Sequence, residues 1–182
     1  MFDAQTAFVV PNSAFSLIGA AGATVQIGNV IDLLGQGVGT APANIIGNRS
    51  YYGVDPGIGL MKNEVEIDIA AALATGNAAT AEFAIQYAPD TGAAGGYLPG
   101  TWESANTTGA KAVSEYPAGT QVRMDLPPAP PDQQLPPPRF VRAVLIVPAA
   151  TNLSGGTVQF AGIVPARTDF VQKNAPNNYV QA

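Results

Sequence analysis

The sequence predicts an all-β fold, a β-sandwich or barrel of about eight strands, and three observations lead there. Short runs alternate apolar and polar side chains, the two-residue signature of a strand with one buried face. Turn chemistry separates those runs, with 20 Gly and 16 Pro in 182 residues. No segment sustains a helical apolar period. Short strands spaced by turn residues read as a sandwich or barrel.

Residues 1–23 read as an extended N-terminal arm. Phe2, Phe8 and Phe15 stand among small and polar residues, and Pro11 with Asn12 breaks any regular element. Aromatics of that size are costly to leave in water, so the arm is expected to dock on something. Removing residues 1–10 is then expected to weaken attachment and leave the sandwich folded.

Residues 24–165 read as the β-domain. Its first strand covers 25–34, with Gly28 marking a bulge or bend. A long insertion follows over 35–63, rich in Gly, Pro and Asn around Tyr51 and Tyr52. Connections of that length are often functional. Adjacent tyrosines suit a contact surface, and equally one of them can close the bottom of the core. Residues 64–69 form the cleanest strand, and the Ala run over 69–73 is open to a short helix ended by Gly76 and Asn77.

Further on, Ala81, Phe83, Ile85 and Tyr87 share one strand face. A Gly-rich turn over 91–96 leads to a short strand around Trp102, then to a weaker one over 110–114. Residues 121–126 alternate again. The proline-rich loop 127–139 is a stiff connection; no basic flank orients it as a ligand for an aromatic groove. Residues 140–147 are apolar on both faces apart from Arg142, which marks a buried or interface strand. Gly155 and Gly156 make a turn into a last strand whose Val158 and Phe160 face inward. Residues 166–182 form a polar C-terminal tail carrying Phe170 and Tyr179.

The chain holds no Cys and no His. That excludes disulfides, structural zinc sites, thiol nucleophiles and the usual general base at neutral pH. Net charge is −5, and the eight Lys and Arg are scattered, so no cluster exists to release counterions from a nucleic acid. The apolar stretch 15–34 has no positive flank before it, and Asn29 and Asp32 interrupt it, so neither a signal peptide nor a membrane span is expected. Charged residues are only 12%, which fits a surface largely covered by other protein.

Glu64, Glu66 and Asp68 share one strand face at intervals of roughly 7 Å. Carboxylates on a flat strand diverge, so a solvated face is preferred to a cation site or an acid–base pair. Alternatively the stripe meets Arg123, Arg139 or Arg142 on a neighbouring strand or subunit. No nucleophile elbow, phosphate loop or metal-ligand spacing appears, so neither an enzyme nor a cofactor is expected. Trp102 reads as a core or interface residue in preference to a sugar platform.

Several segments then fall into a familiar order. Asn29-Val30-Ile31-Asp32-Leu33 follows the aromatic-bearing arm, and Phe83-Ala84-Ile85-Gln86-Tyr87-Ala88 leads to the Trp-containing strand. Arg139-Phe140-Val141-Arg142-Ala143-Val144-Leu145 precedes Gly155-Gly156-Thr157-Val158. Over residues 25–164 this order resembles the jelly-roll cement, or decoration, proteins that bind the outside of the major capsid shell of tailed phages. The resemblance implies a jelly-roll fold for the β-domain, residues 24–165. It also implies a structural virion protein, made in the host cytoplasm and carried on the outer capsid surface, that stabilises contacts between capsomers. Its partners would be the phage major capsid protein and itself, as a homodimer in preference to a trimer, with no direct nucleic-acid or membrane contact. The residues expected at such capsid or self interfaces are Phe2, Phe8, Phe15, Tyr51, Tyr52, Arg142, Phe170 and Tyr179. The alternative is a carbohydrate-binding or host-adhesion jelly roll on the virion, using Trp102, Tyr97, Tyr51 or Tyr52 as stacking platforms.

Overall fold

A computed structural model describes residues 6–33, 45–46, 63–75, 80–92, 98–127, 138–149 and 152–165. Their strands are β1 (Ala7–Val9), β2 (Phe15–Ser16), β3 (Thr24–Asp32), β4 (Ile45–Ile46), β5 (Asn63–Thr75) and β6 (Thr80–Pro89). β7 (Glu103–Thr107), β8 (Lys111–Ala112), β9 (Gln121–Asp125), β10 (Pro138–Ile146) and β11 (Leu153–Pro165) complete them. No helix of the described residues is long and apolar enough to cross a membrane.

Two sheets divide these strands. One runs β1-β11-β5-β9, with β2 also on β11; the other runs β4-β3-β10-β6-β7, with β8 on β6. Setting aside the two-residue strands β2, β4 and β8, eight remain in chain order. The first, eighth, third and sixth build one sheet; the second, seventh, fourth and fifth build the other. That alternation between sheets is the jelly-roll winding, so the all-β sandwich expected from the sequence is the observed fold.

Each long strand turns its apolar set inward. Val65, Ile67 and Ile69 of β5, Val122 and Met124 of β9, Ile27 and Ile31 of β3, Phe83 and Ile85 of β6, and Val141 and Leu145 of β10 meet in one core. The Phe83 and Tyr116 rings pack edge to face at 5.1 Å. Gly28 acts as the expected bulge: the β3–β10 register shifts beside it, and its φ is 68°. On the opposite flank Asn106 of β7 donates to the Asp125 carbonyl of β9 at 2.8 Å and joins the two sheets there.

Several expectations need correction. Residues 7–9 and 15–16 belong to the sheet, because β1 and β2 pair with β11, and Phe8 sits in the core at 1% exposure. The Ala run after Ile69 stays extended, because β11 pairs with β5 as far as Thr75 and ladder bonding outweighs the helix propensity of Ala. Gly155 and Gly156 lie within β11, where register shifts against β5 absorb them. Phe160 does not join Val158 in the main core; it packs with Ala7 and Val164 on the outer side of its sheet. The chain near Trp102 differs in detail as well, since strand structure begins at Glu103.

Candidate interaction surface

Three polar constellations and one apolar edge stand out. On the outer face of the first sheet, β5 presents Glu64, Glu66 and Asp68, and the neighbouring β9 presents Arg123 directly opposite Glu66. Arg123 reaches Glu64 Oε2 at 3.1 Å and also pairs with Glu66. Glu66 is only 4% exposed, so the stripe is not a solvated face. Opposite charges on facing strands fix the β5–β9 register.

The second constellation ties three strands at one end of the other sheet. Arg139, at the start of β10, donates from Nε to Asp32 Oδ1 at 2.8 Å and from Nη2 to Asp32 Oδ2 at 2.7 Å. Its Nη1 donates to Asp90 Oδ2, just beyond β6, at 2.5 Å. Asp32 is fully buried at the end of β3. The Asp32 hydrogen bonds raise the Arg139 pKa above its ordinary value, against the opposing pull of burial.

Arg142 lies in the middle of β10, on the outer face of the same sheet. Its guanidinium rests 4.1 Å above the centroid of the Trp102 ring. Nε and Nη2 donate to Gln86 Oε1 at 3.0 and 2.7 Å, and Nη1 donates to Gln26 Oε1 at 3.5 Å. The amide nitrogens of both glutamines point elsewhere, to Ser104 Oγ and to the Gly28 carbonyl. Burial lowers the Arg142 pKa. Trp102 itself packs against the patch formed by Val30, Ala88 and Phe140.

No protein-family model and no curated protein matches the chain.

The apolar edge belongs to the N-terminal segment. Residues 7–19 run antiparallel to β11, pairing Ala7 with Gly162, Phe15 with Val158 and Gly19 with Leu153. Between the two short strands the chain turns at Pro11 and Asn12, where Asn12 takes a φ of 66° and the Ser13 amide donates to the Val10 carbonyl. A broken edge with a proline resists strand-to-strand aggregation. It also leaves Val10 and Ile18 in solvent, Ile18 at 62% exposure.

The expected interface residues are thus distributed unequally. Phe8 is in the core, Phe15 is half-buried against it, and Arg142 is half-buried beside Trp102. Phe2, Tyr51, Tyr52, Phe170 and Tyr179 lie outside the described residues, as does Tyr97. Sequence reasoning passed over Val10 and Ile18, because each follows a buried apolar neighbour, Val9 or Leu17, in a run too short to show which side chain faces out. It also passed over the Arg142–Trp102 stack, which joins residues 40 positions apart. Among the described residues, no group of three or more acidic side chains is arranged to hold a metal ion.

Proposed function

We propose that this chain is a non-enzymatic structural protein of a virion, a capsid cement protein that binds the outside of a phage major capsid shell and ties neighbouring capsomers together. The observation that carries this reading is the N-terminal edge. Its apolar side chains, Val10 and Ile18, are held in water by a segment strapped along β11, and are not free to fold away. Exposed apolar side chains along one edge offer contact area that a protein partner could cover.

The jelly roll supports the same role, since two sheets sharing one core give a stiff spacer between contacts. Contacts repeated around a closed shell add their effects by avidity, so no single site has to be tight. Self-association as a homodimer, in preference to a trimer, suits a unit that straddles a two-fold contact. The protein would sit on the outer surface of the particle, after synthesis in the host cytoplasm.

Heating particles with and without the protein tests the reading. Particles that carry it should release their genome at a higher temperature than particles that lack it. Equal release temperatures would refute the cement role.

A further inference from the structure

We infer that Arg142, seated on Trp102, is a receptor for a carboxylate, and that its occupant is an aspartate or glutamate side chain of a protein partner docking on the outer face of the second sheet. The three arginines of the described sheets are not alike. Arg123 pairs with Glu64 and Glu66, and Arg139 pairs with Asp32 and Asp90. Among the described residues Arg142 meets no carboxylate: its polar contacts are the amide oxygens of Gln86 and Gln26. A half-buried cation without a counter-charge is costly, and a carboxylate brought by a partner would supply that counter-charge.

The geometry is that of a prepared site. The Trp102 ring fixes the guanidinium plane from one side, and Gln86 holds it along the Nε–Nη2 edge. Gln86 is held in turn by Ser104, and Gln26 by the Gly28 carbonyl, so both amides present oxygen to the arginine. A guanidinium has more N–H groups than these three hydrogen bonds use. The remaining donors lie in one plane, which suits the two coplanar oxygens of a carboxylate. One positive charge also matches a monoanion better than a phosphate dianion. Burial lowers the Arg142 pKa, as expected for a cation lacking its anion.

Arg142 supplies the chemistry of one contact in the docking proposed above, and it rests on that reading only for the identity of the protein that brings the carboxylate. The probe for the site itself is independent of any capsid. Trp102 is the single tryptophan of the chain, so its fluorescence reports on the arginine stacked against it. Acetylated hexaglutamate titrated into the full-length protein should change that emission saturably, whereas hexaglutamine and inorganic phosphate at matched ionic strength should not.

Arg142→Gln should weaken hexaglutamate binding by about tenfold or more, and Arg142→Lys, which keeps charge but loses the planar fork, by several-fold. Absence of any saturable change with the folded wild-type protein would overturn the carboxylate site. So would an unchanged titration in Arg142→Gln, or equal binding of phosphate. If hexaglutamate binds as expected while the protein ignores assembled shells, the site stands and the cement reading falls.

Discussion

Gly28 approaches Phe8 so closely that a Cβ at position 28 would lie 2.0 Å from the Phe8 carbonyl oxygen. The contact is backbone against backbone, between β3 of one sheet and β1 of the other, so neither side can yield by turning a rotamer. The φ of 68° at Gly28 adds a second requirement, since that region strains any residue with a Cβ.

Gly28→Ala should therefore cost about 2 kcal/mol or more, through the clash and the left-handed backbone together. Chemical denaturation would show a lower midpoint with an unchanged slope. An unaltered midpoint would mean that β1 does not pack on β3 in this way.

Phe8 is the other half of that contact. Phe8→Ala should destabilise by about 3–5 kcal/mol, the range for emptying a buried aromatic site. Deleting residues 1–10 should do the same, because it removes β1 and Phe8 together. The arm expected from the sequence would have been dispensable for folding. Circular dichroism and thermal melting of the truncated protein decide between the two outcomes.

The difference between arm and strand shows where sequence legibility ended. Residues 64–69 alternate over enough positions to declare both strand and buried face, and Val65, Ile67 and Ile69 are in the core as that pattern requires. β1 has three residues, followed by Pro11 and Asn12, and three positions hold no period to read. Its identity comes from β11, a partner some 150 residues away in sequence. The Ala run before Thr75 is ambiguous in sequence for a related reason, since local propensity favours helix and only the ladder to β11 keeps it extended. At the candidate surface, Arg142 could be singled out as the lone charge in an apolar strand. Its seat on Trp102 depends on how β10, β6 and the chain before β7 come together, which no local pattern encodes.

Arg139→Met leaves the Asp32 carboxylate buried without its cation. The expected loss is about 3–5 kcal/mol, the usual result of breaking one side of a buried pair. Arg139→Met combined with Asp32→Leu should recover much of that loss, because the only carboxylate of the cluster then left without the arginine is Asp90, which is partly exposed to water. Denaturation of both variants at neutral pH measures the difference. Equal stability of the single and double variants would show that Asp32 is well solvated once Arg139 is gone.

Alkaline stability should report Tyr87. Burial pushes its phenol from 10.0 up to about 12, and the hydroxyl donates to the Pro127 carbonyl at 2.8 Å. The folded state therefore keeps the proton after the unfolded chain has lost it. Stability is intact below pH 10, then falls as pH rises from about 10 to 12, by about 2–3 kcal/mol in total. Tyr116, also raised by burial, acts in the same direction. Tyr87→Phe should flatten this limb while lowering stability at neutral pH by about 1 kcal/mol for the lost hydrogen bond. A limb of equal steepness in the variant would assign it to other groups.

Docking through the N-terminal edge is tested most directly by co-sedimentation with shells assembled from the phage major capsid protein. Wild-type protein and the double variant Val10→Asp with Ile18→Asp would be compared, since both changes fall on exposed side chains and spare the core. The wild type should pellet with assembled shells and stay in solution with unassembled subunits, while the variant stays in solution with both. Equal pelleting of the two proteins, or none by the wild type, would contradict this account.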